Sequence, residues 1–104
     1  MDLTQGNWKK QLTSELNDGA VIIDVRTPEE FEVSRIPNSI NIDFYNPQKF
    51  ITKIDKLDRD CSYYIYCRTG ARSSNSCIIM KEMGFKKTYN LTGGISDWKG
   101  KINK

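Results

Sequence analysis

The chain has 104 residues, 38% apolar and 28% charged, so we predict a single globular domain over residues 1–104. The net charge of +3 is too small to predict a nucleic-acid partner, and no apolar run approaches the roughly 20 residues that span a bilayer. Histidine is absent, which excludes histidine acid–base catalysis and histidine metal ligands.

The first part of the chain alternates helix and strand patterns. Apolar residues spaced four apart within residues 8–16 predict a helix that ends before Gly19. The nearly continuous apolar run 21–25 (VIIDV) predicts a strand buried on both faces, which is typical of a parallel sheet. A helix then begins after Thr27 with a capping box, and it has to end before Pro37.

The same alternation continues to the end of the chain. A strand at 39–43 precedes a helix that opens at Pro47, and the predicted buried face of that helix consists of Phe50, Ile51, Ile54 and Leu57. The segment 62–67 (SYYIYC) predicts a strand, followed by a helix from about residue 72 to residue 83.

Two elements remain. Residues 88–91 predict a last strand, and a glycine turn leads into a short closing helix that contains Trp98. This order predicts a three-layer α/β/α sandwich with a mostly parallel sheet of four to five strands. Ligands of such sheets bind beyond the carboxyl ends of the strands, and Cys67 lies at such an end.

The segment 67–73 (CRTGARS) carries the predicted chemistry: a cysteine at a strand end, a short loop and a helix start. Free amides and the dipole of a helix start stabilise an anion, so the pKa of the Cys67 thiol is expected below its usual value. Arg68 and Arg72 add positive charge for an anionic ligand, and Gly70 permits a turn that a side chain would obstruct. The alternative is that Cys67 is a small core residue.

Four further residues bear on the prediction for this segment. Asp24 ends a strand beside the expected site, and Arg26 follows it. Either the two side chains form an ion pair that positions the loop, or the Asp24 carboxylate is satisfied by backbone amides. Cys77 is expected in the core, with a resolving thiol as the alternative. Cys61 begins the strand that ends at Cys67, too far away to take part.

Four segments resemble the signatures of the rhodanese family, in the family's order. They are 24–31 (DVRTPEEF), 35–42 (RIPNSINI), 67–73 (CRTGARS) and 91–98 (LTGGISDW). The chain departs from the family's Gly-His pair, because Ser34 and Arg35 stand at those positions. We interpret these two positions as structural.

The resemblance implies a rhodanese-like fold with a five-stranded parallel sheet and a thiosulfate sulfurtransferase activity. Asp2 and Leu3 would be the remnant of the family's first edge strand. Cys67 would be the catalytic residue and would carry the transferred sulfur as a persulfide. The partners would be a small anionic sulfur donor such as thiosulfate and an acceptor that is cyanide, a thiol or a protein thiol. No organic cofactor or metal is implied. The persulfide and the donor would be bound by Arg68, Thr69, Gly70, Ala71, Arg72 and Ser73.

Two other functions are compatible with the resemblance. Phosphatases and arsenate reductases of this fold have five residues between cysteine and arginine, whereas four separate Cys67 from Arg72. A non-catalytic interaction domain of the same family is the second alternative. The odd number of cysteines and the absence of a signal-peptide pattern predict a cytoplasmic protein without a membrane partner, and a monomer is the default.

Overall fold

Five strands and four helices alternate along the chain in a computed structural model, which describes residues 1–104. Short 3₁₀ turns at Leu16–Asp18 and Ile95–Asp97 complete the structure. The strands are β1 (Asp2–Leu3), β2 (Val21–Asp24), β3 (Ser39–Asn41), β4 (Ser62–Tyr66) and β5 (Lys87–Leu91). The helices are α1 (Gln5–Glu15), α2 (Pro28–Val33), α3 (Pro47–Asp55) and α4 (Ala71–Glu82).

Local signals in the sequence account for where the helices begin and end. At α2, Thr27 Oγ1 accepts from the Glu30 amide at 3.3 Å, and Glu30 Oε1 accepts from the Thr27 amide at 3.1 Å. This is the predicted capping box. At the end of α4, Gly84 has a φ of +98°, and the Phe85 amide donates to the Met80 carbonyl at 3.0 Å. That arrangement is the glycine C-cap typical of α-helices.

The strands form one sheet in the order β1-β5-β4-β2-β3, and all four pairings are parallel. The predicted parallel sheet is therefore confirmed, with five strands. The fifth is β1, whose two residues pair with Asn90 and Leu91 of β5. Strand β4 lies at the centre, and all five of its residues are buried. The residue after this central strand is Cys67.

Side chains of alternate residues along β4 enter two separate cores, one on each face of the sheet. Tyr63, Ile65 and Cys67 face α3 and α4, where they pack with Phe50, Ile54, Cys77 and Met80. Tyr64 and Tyr66 face α1, where they pack with Trp8, Leu12, Ile22, Ile36 and Leu91. The structure is therefore the predicted three-layer sandwich. Because side chains alternate between the two faces along β4, the Cys67 side chain points toward the layer that contains α4.

Two details differ from the sequence-based expectation. Ile51 on α3 is 42% exposed, because the buried stripe of this short helix is narrower than predicted and centres on Phe50 and Ile54. The closing helix is a single 3₁₀ turn, and Trp98 caps it from outside. The Gly93-Gly94 turn leaves only three residues before the chain becomes extended at Trp98.

None of the four helices combines the length and apolar character that crossing a membrane requires.

Trp8 organises the core beside α1, and we expect its removal to destabilise the fold. Its ring makes edge-to-face contacts with Tyr64, Tyr66 and Trp98, and its indole NH donates to the Tyr89 carbonyl at 3.1 Å. Trp8→Ala should lower the free energy of unfolding by about 3–5 kcal/mol in a urea titration, because it leaves a large cavity.

The matched control for Trp8→Ala is Val33→Ala, at a side chain that is 73% exposed. It should change the free energy of unfolding by less than about 0.5 kcal/mol. Similar losses in the two variants would show that the tryptophan cluster has no special part in stability.

Candidate active site

The site lies at the carboxyl end of the sheet, where Cys67 follows the central strand β4. Its side chain is 1% exposed, and only residues 68–70 separate it from the first residue of α4, Ala71. Gly70 caps α4 with a φ of +108°, a left-handed conformation that glycine adopts without steric cost. The turn at Gly70 brings the amides that begin α4 back toward the sulfur of Cys67.

Two donors contact the sulfur directly. The Gly70 amide donates to Cys67 Sγ at 3.1 Å, and the Ser73 hydroxyl lies 3.3 Å from the same atom. Burial by itself raises the pKa of the Cys67 thiol, but hydrogen bonds from the Ser73 side chain and from the amides of Ser73, Gly70 and Thr69 lower it. The donors outweigh the burial, so the pKa lies below the ordinary value of a cysteine.

The other loop residues have different surroundings. The side chains of Arg68 and Thr69 are exposed, and Arg68 forms no ion pair. Ala71 is also exposed, as the first residue of α4. An exposed guanidinium without an ion pair can bind an anion without first losing a protein partner.

Ser73 links Cys67 to β5 and β1 through a chain of side-chain contacts, of which only the last, at Asp2, is at an exposed residue. Its hydroxyl also contacts Oδ1 of Asn90 on β5, and Asn90 Nδ2 donates to Asp2 Oδ1 at 3.0 Å. Ser73 is 0% exposed and Asn90 is 3% exposed. Asn90 is not among the site residues predicted from the sequence. The available signal was a polar side chain next to Leu91, within a strand that leads to the glycine turn.

Arg72 is held by Glu30, the residue that closes the capping box of α2. The two nitrogens of its fork donate to the two Glu30 oxygens at 2.8 Å and 3.2 Å, and the guanidinium lies 4.9 Å from the centre of the Tyr45 ring. The hydrogen bond from Arg72 is the main cause that lowers the Glu30 pKa to about 2. Because this pKa is below the unfolded value, the pair stabilises the fold at neutral pH, and its contribution is lost as the pH falls through about 2.

Asp24 and Arg26 form a buried ion pair at 2.7 Å. The Arg26 amide also donates to Asp24 Oδ1 at 2.8 Å, so the Asp24 carboxylate has both an arginine partner and a backbone amide partner. Arg26 donates further to the Ser34 carbonyl, and Asn41 Nδ2 donates to the Arg26 carbonyl at 2.9 Å. These bonds connect β2 with the segment after α2 and with β3, and none of them reaches the loop after Cys67.

The Gly93-Gly94 turn packs against the opposite side of the loop. The Ile95 amide donates to the Cys67 carbonyl at 2.9 Å, and the Ser96 amide donates to the Arg68 carbonyl at 3.0 Å. A Cβ on Gly94 would lie 2.4 Å from the Arg68 carbonyl oxygen and 2.6 Å from that of Cys67. The glycine is therefore required by the close approach of two backbones, and the turn supports the loop from behind.

The two remaining cysteines are separate from this site. Cys77 on α4 is 6% exposed within the core beside α3, and burial raises the pKa of its thiol to about 11. Cys61 is partly buried at the opposite end of β4 from Cys67. All three cysteines are free thiols, and the chain has no cluster of three side chains that could ligate a metal.

The chain is similar to known proteins over most of its length. The rhodanese-like domain matches residues 9–101. The putative sulfurtransferase YtwF of Bacillus subtilis is 37% identical over 86 residues, which are 83% of this chain and 80% of that protein. The thiosulfate sulfurtransferase GlpE of Pseudomonas syringae is 33% identical over 81 residues, which are 78% of this chain and 74% of that protein.

A third relative is longer than this chain. The putative sulfur carrier protein YrkF of Bacillus subtilis is 38% identical over 80 residues, which are 77% of this chain but only 42% of that protein. Among solved structures, a rhodanese-related protein from Thermoplasma volcanium superposes with a TM-score of 0.77 at 24% identity. The superposition covers 98% of this chain and 96% of the other, so the rhodanese-like fold is shared over nearly the full length.

We expect Gly94→Ala to displace the loop that carries Cys67. The added methyl group collides with the Arg68 carbonyl, and the φ of +61° is strained for alanine, so the free energy of unfolding should fall by about 2–4 kcal/mol. The rate at which iodoacetamide alkylates Cys67 should fall as well, because the donors around the sulfur move.

Gly19→Ala is the matched control, since Gly19 has a φ of +84° but no atom within 4 Å of the added Cβ. It should cost only the strain, about 1–2 kcal/mol, and leave alkylation of Cys67 unchanged. Equal effects of the two substitutions on stability and alkylation would contradict the contact between the turn and the loop.

Proposed function

The chain belongs to the rhodanese-like family, and from that premise we propose that it is a sulfurtransferase with Cys67 as the sulfur-carrying catalytic residue. The observation that carries the proposal is the buried sulfur with an amide and a hydroxyl donor, which together favour a thiolate. In this proposal residues 1–104 act as one domain, because β1, outside the matched residues, pairs with β5.

The reaction has two steps on one sulfur atom. The Cys67 thiolate attacks the outer sulfur of thiosulfate, an Sγ–S bond forms, and the S–S bond of the donor breaks with its electron pair leaving on sulfite. The negative charge of the persulfide then lies on its terminal sulfur. Cyanide or a thiolate attacks that atom, the Sγ–S bond breaks, and the electron pair returns to Cys67. A covalent intermediate of this kind predicts ping-pong kinetics.

The loop residues divide this work in the proposal. The amides of Thr69 and Gly70 and the hydroxyl of Ser73 stabilise charge on the sulfur. Arg68, exposed and without an ion pair, attracts the anionic donor, and Ala71 leaves the mouth of the loop open beside it. Asp24 and Arg26 act as supporting residues that hold the end of β2 next to β4.

Arg72 contributes differently from Arg68. Its fork is already occupied by Glu30, so an anionic donor has to share the guanidinium with a carboxylate of the same protein. Arg72 keeps a positive charge close to Cys67, but the Glu30 carboxylate offsets part of the attraction of that charge for a dianion such as thiosulfate. Glu30 therefore limits the affinity for small anionic donors in this proposal.

The proposed donor, acceptor and compartment follow from the same site. Thiosulfate is the proposed donor because the unpaired cation suits a small anion and because a relative is a thiosulfate sulfurtransferase. The acceptor is cyanide, a small thiol or a protein thiol. Three free cysteines fit a reducing compartment, so we assign the activity to the cytoplasm.

The proposal predicts a persulfide on Cys67 after incubation with thiosulfate. The intact mass of the wild-type protein should rise by one sulfur atom, and cyanide should remove it. Cys67→Ser should show no gain, whereas Cys61→Ser and Cys77→Ser should load like the wild type.

Loading of Cys67→Ser would place the nucleophile elsewhere. If neither thiosulfate nor polysulfide loads the wild type, the chain is a non-catalytic interaction domain and the sulfurtransferase assignment fails.

Removing the charge of Glu30 should increase the affinity of the site for thiosulfate. Glu30→Gln keeps a side chain able to close the capping box but removes the charge that competes for Arg72, so kcat/KM for thiosulfate should rise about threefold to tenfold. Arg72→Ala should lower it by at least a similar factor, because the positive charge is lost altogether. The measurement is sulfite release at several thiosulfate concentrations.

Glu29→Gln is the matched control, since it makes the same change in net charge on α2 at an exposed side chain that forms no ion pair. An equal gain in both glutamate variants would mean that only the overall charge matters. No gain in either would remove Glu30 as a determinant of donor affinity.

A further inference from the structure

The Ser73 hydroxyl lies among more acceptors than it can serve. It is 3.3 Å from Cys67 Sγ and 3.2 Å from the Gly70 carbonyl, and it also contacts Oδ1 of Asn90. A hydroxyl has one hydrogen to donate, so it serves one of these atoms at a time. Ser73 and Asn90 are both buried, so water does not supply a substitute donor.

The orientation of the Asn90 amide is determined by its other contacts. Nδ2 faces Asp2 Oδ1 at 3.0 Å and the Gly70 carbonyl at 3.4 Å, and both of these atoms are acceptors. The amide nitrogen therefore has to point to that side, and the amide oxygen points to Ser73. Asn90 consequently accepts the Ser73 hydrogen and cannot supply one in its place.

The charge on Sγ changes during the sulfur-transfer cycle. As a thiolate it is an ionised acceptor, which binds a donor about twice as strongly as a neutral one. In the persulfide Sγ is bonded to a second sulfur, and the negative charge has moved outward to the terminal atom. The preferred acceptor for the Ser73 hydrogen is then the amide oxygen of Asn90.

We infer that Asn90 is a positioning residue that accepts the Ser73 hydrogen bond while Cys67 carries sulfur and releases it when Sγ becomes a thiolate. This inference rests on the proposed function. No atom is gained or lost in the change, since only the hydroxyl rotates. When an acceptor takes the terminal sulfur, the electron pair of the Sγ–S bond returns to Cys67, and the hydrogen turns back to stabilise it.

Variants at Asn90 should move the pKa of Cys67 in opposite directions, measured from the pH dependence of iodoacetamide alkylation at Cys67. Asn90→Leu removes the competing acceptor and should lower the pKa by about half a pH unit. The double variant Asp2→Asn/Asn90→Asp exchanges the two side chains, so that an amide at position 2 still donates to a carboxylate at position 90. The atom that faces the Ser73 hydroxyl then becomes a charged carboxylate oxygen in place of the neutral amide oxygen. This double variant should raise the pKa by about one pH unit, as Ser73→Ala should by removing the donor.

Asp2→Asn is the matched control, because an amide oxygen still accepts from Asn90 Nδ2 and the pKa of Cys67 should stay unchanged. The other charged groups around the site remain in every variant: Arg68 of the loop, Arg72 and its partner Glu30, and the Asp24–Arg26 pair. A pKa that moves in the same direction in Asn90→Leu and in the double variant, or in neither, overturns the inference and leaves Asn90 as a packing residue.

A second measurement uses the wild-type protein and does not depend on folding of a variant. The ¹³Cγ resonance of Asn90 should move downfield when thiosulfate loads Cys67, because its carbonyl then accepts a hydrogen bond. Asn41 is the reference, since its amide donates to two backbone carbonyls near the site and is not coupled to Ser73. A loaded protein whose Asn90 signal moves no more than that of Asn41 overturns the inference.

The failure of the proposed function is distinguishable from failure of this inference. Absence of added sulfur in the intact mass refutes the sulfur-transfer assignment. The order of alkylation pKa values among the Asn90 and Ser73 variants then decides by itself whether Asn90 competes for the hydroxyl.

Discussion

A buried sulfur that has to become an anion is the constraint on which the arrangement around Cys67 depends. Its side chain is 1% exposed, and a buried thiolate is stable only if donors replace the water it has lost. The Gly70 amide and the Ser73 hydroxyl meet that requirement, and both depend on α4 beginning immediately after the left-handed turn at Gly70. The Gly94 turn packs behind the same loop, so the donors are held against the sulfur from the other side.

Glu30 connects the site to the rest of the fold because it takes part in both a helix cap and an ion pair. Its carboxylate closes the capping box that begins α2, and it also binds the fork of Arg72 on α4. The start of one helix and the direction of a cationic side chain near the thiol are therefore set by the same group. Positive charge beside Cys67 is held rigidly as a result, and the exposed Arg68 remains the cation of the loop without an internal partner.

Most of the fold was predictable because its signals are local. The capping box at Thr27, the apolar run that became β2 and the helix that follows Cys67 each depend on a few neighbouring residues, and each occurs where the sequence predicts it. Predictions of which face of a short helix is buried, and of the length of the last helix, were less successful. Ile51 is exposed, and the closing helix is one 3₁₀ turn, because the packing of a short element depends on the layer beneath it.

For the site, the sequence by itself determined the nucleophile candidate, its loop and the reason for a low thiol pKa, because these residues are contiguous from Cys67 to Ser73. It also predicted a parallel sheet with Cys67 at a strand end. Only the tertiary structure decided that Glu30 occupies the fork of Arg72, that Asn90 and Asp2 extend the network of Ser73, and that β1 completes the sheet. These contacts join residues up to 88 positions apart, and no local pattern encodes which distant side chains the strand order brings together.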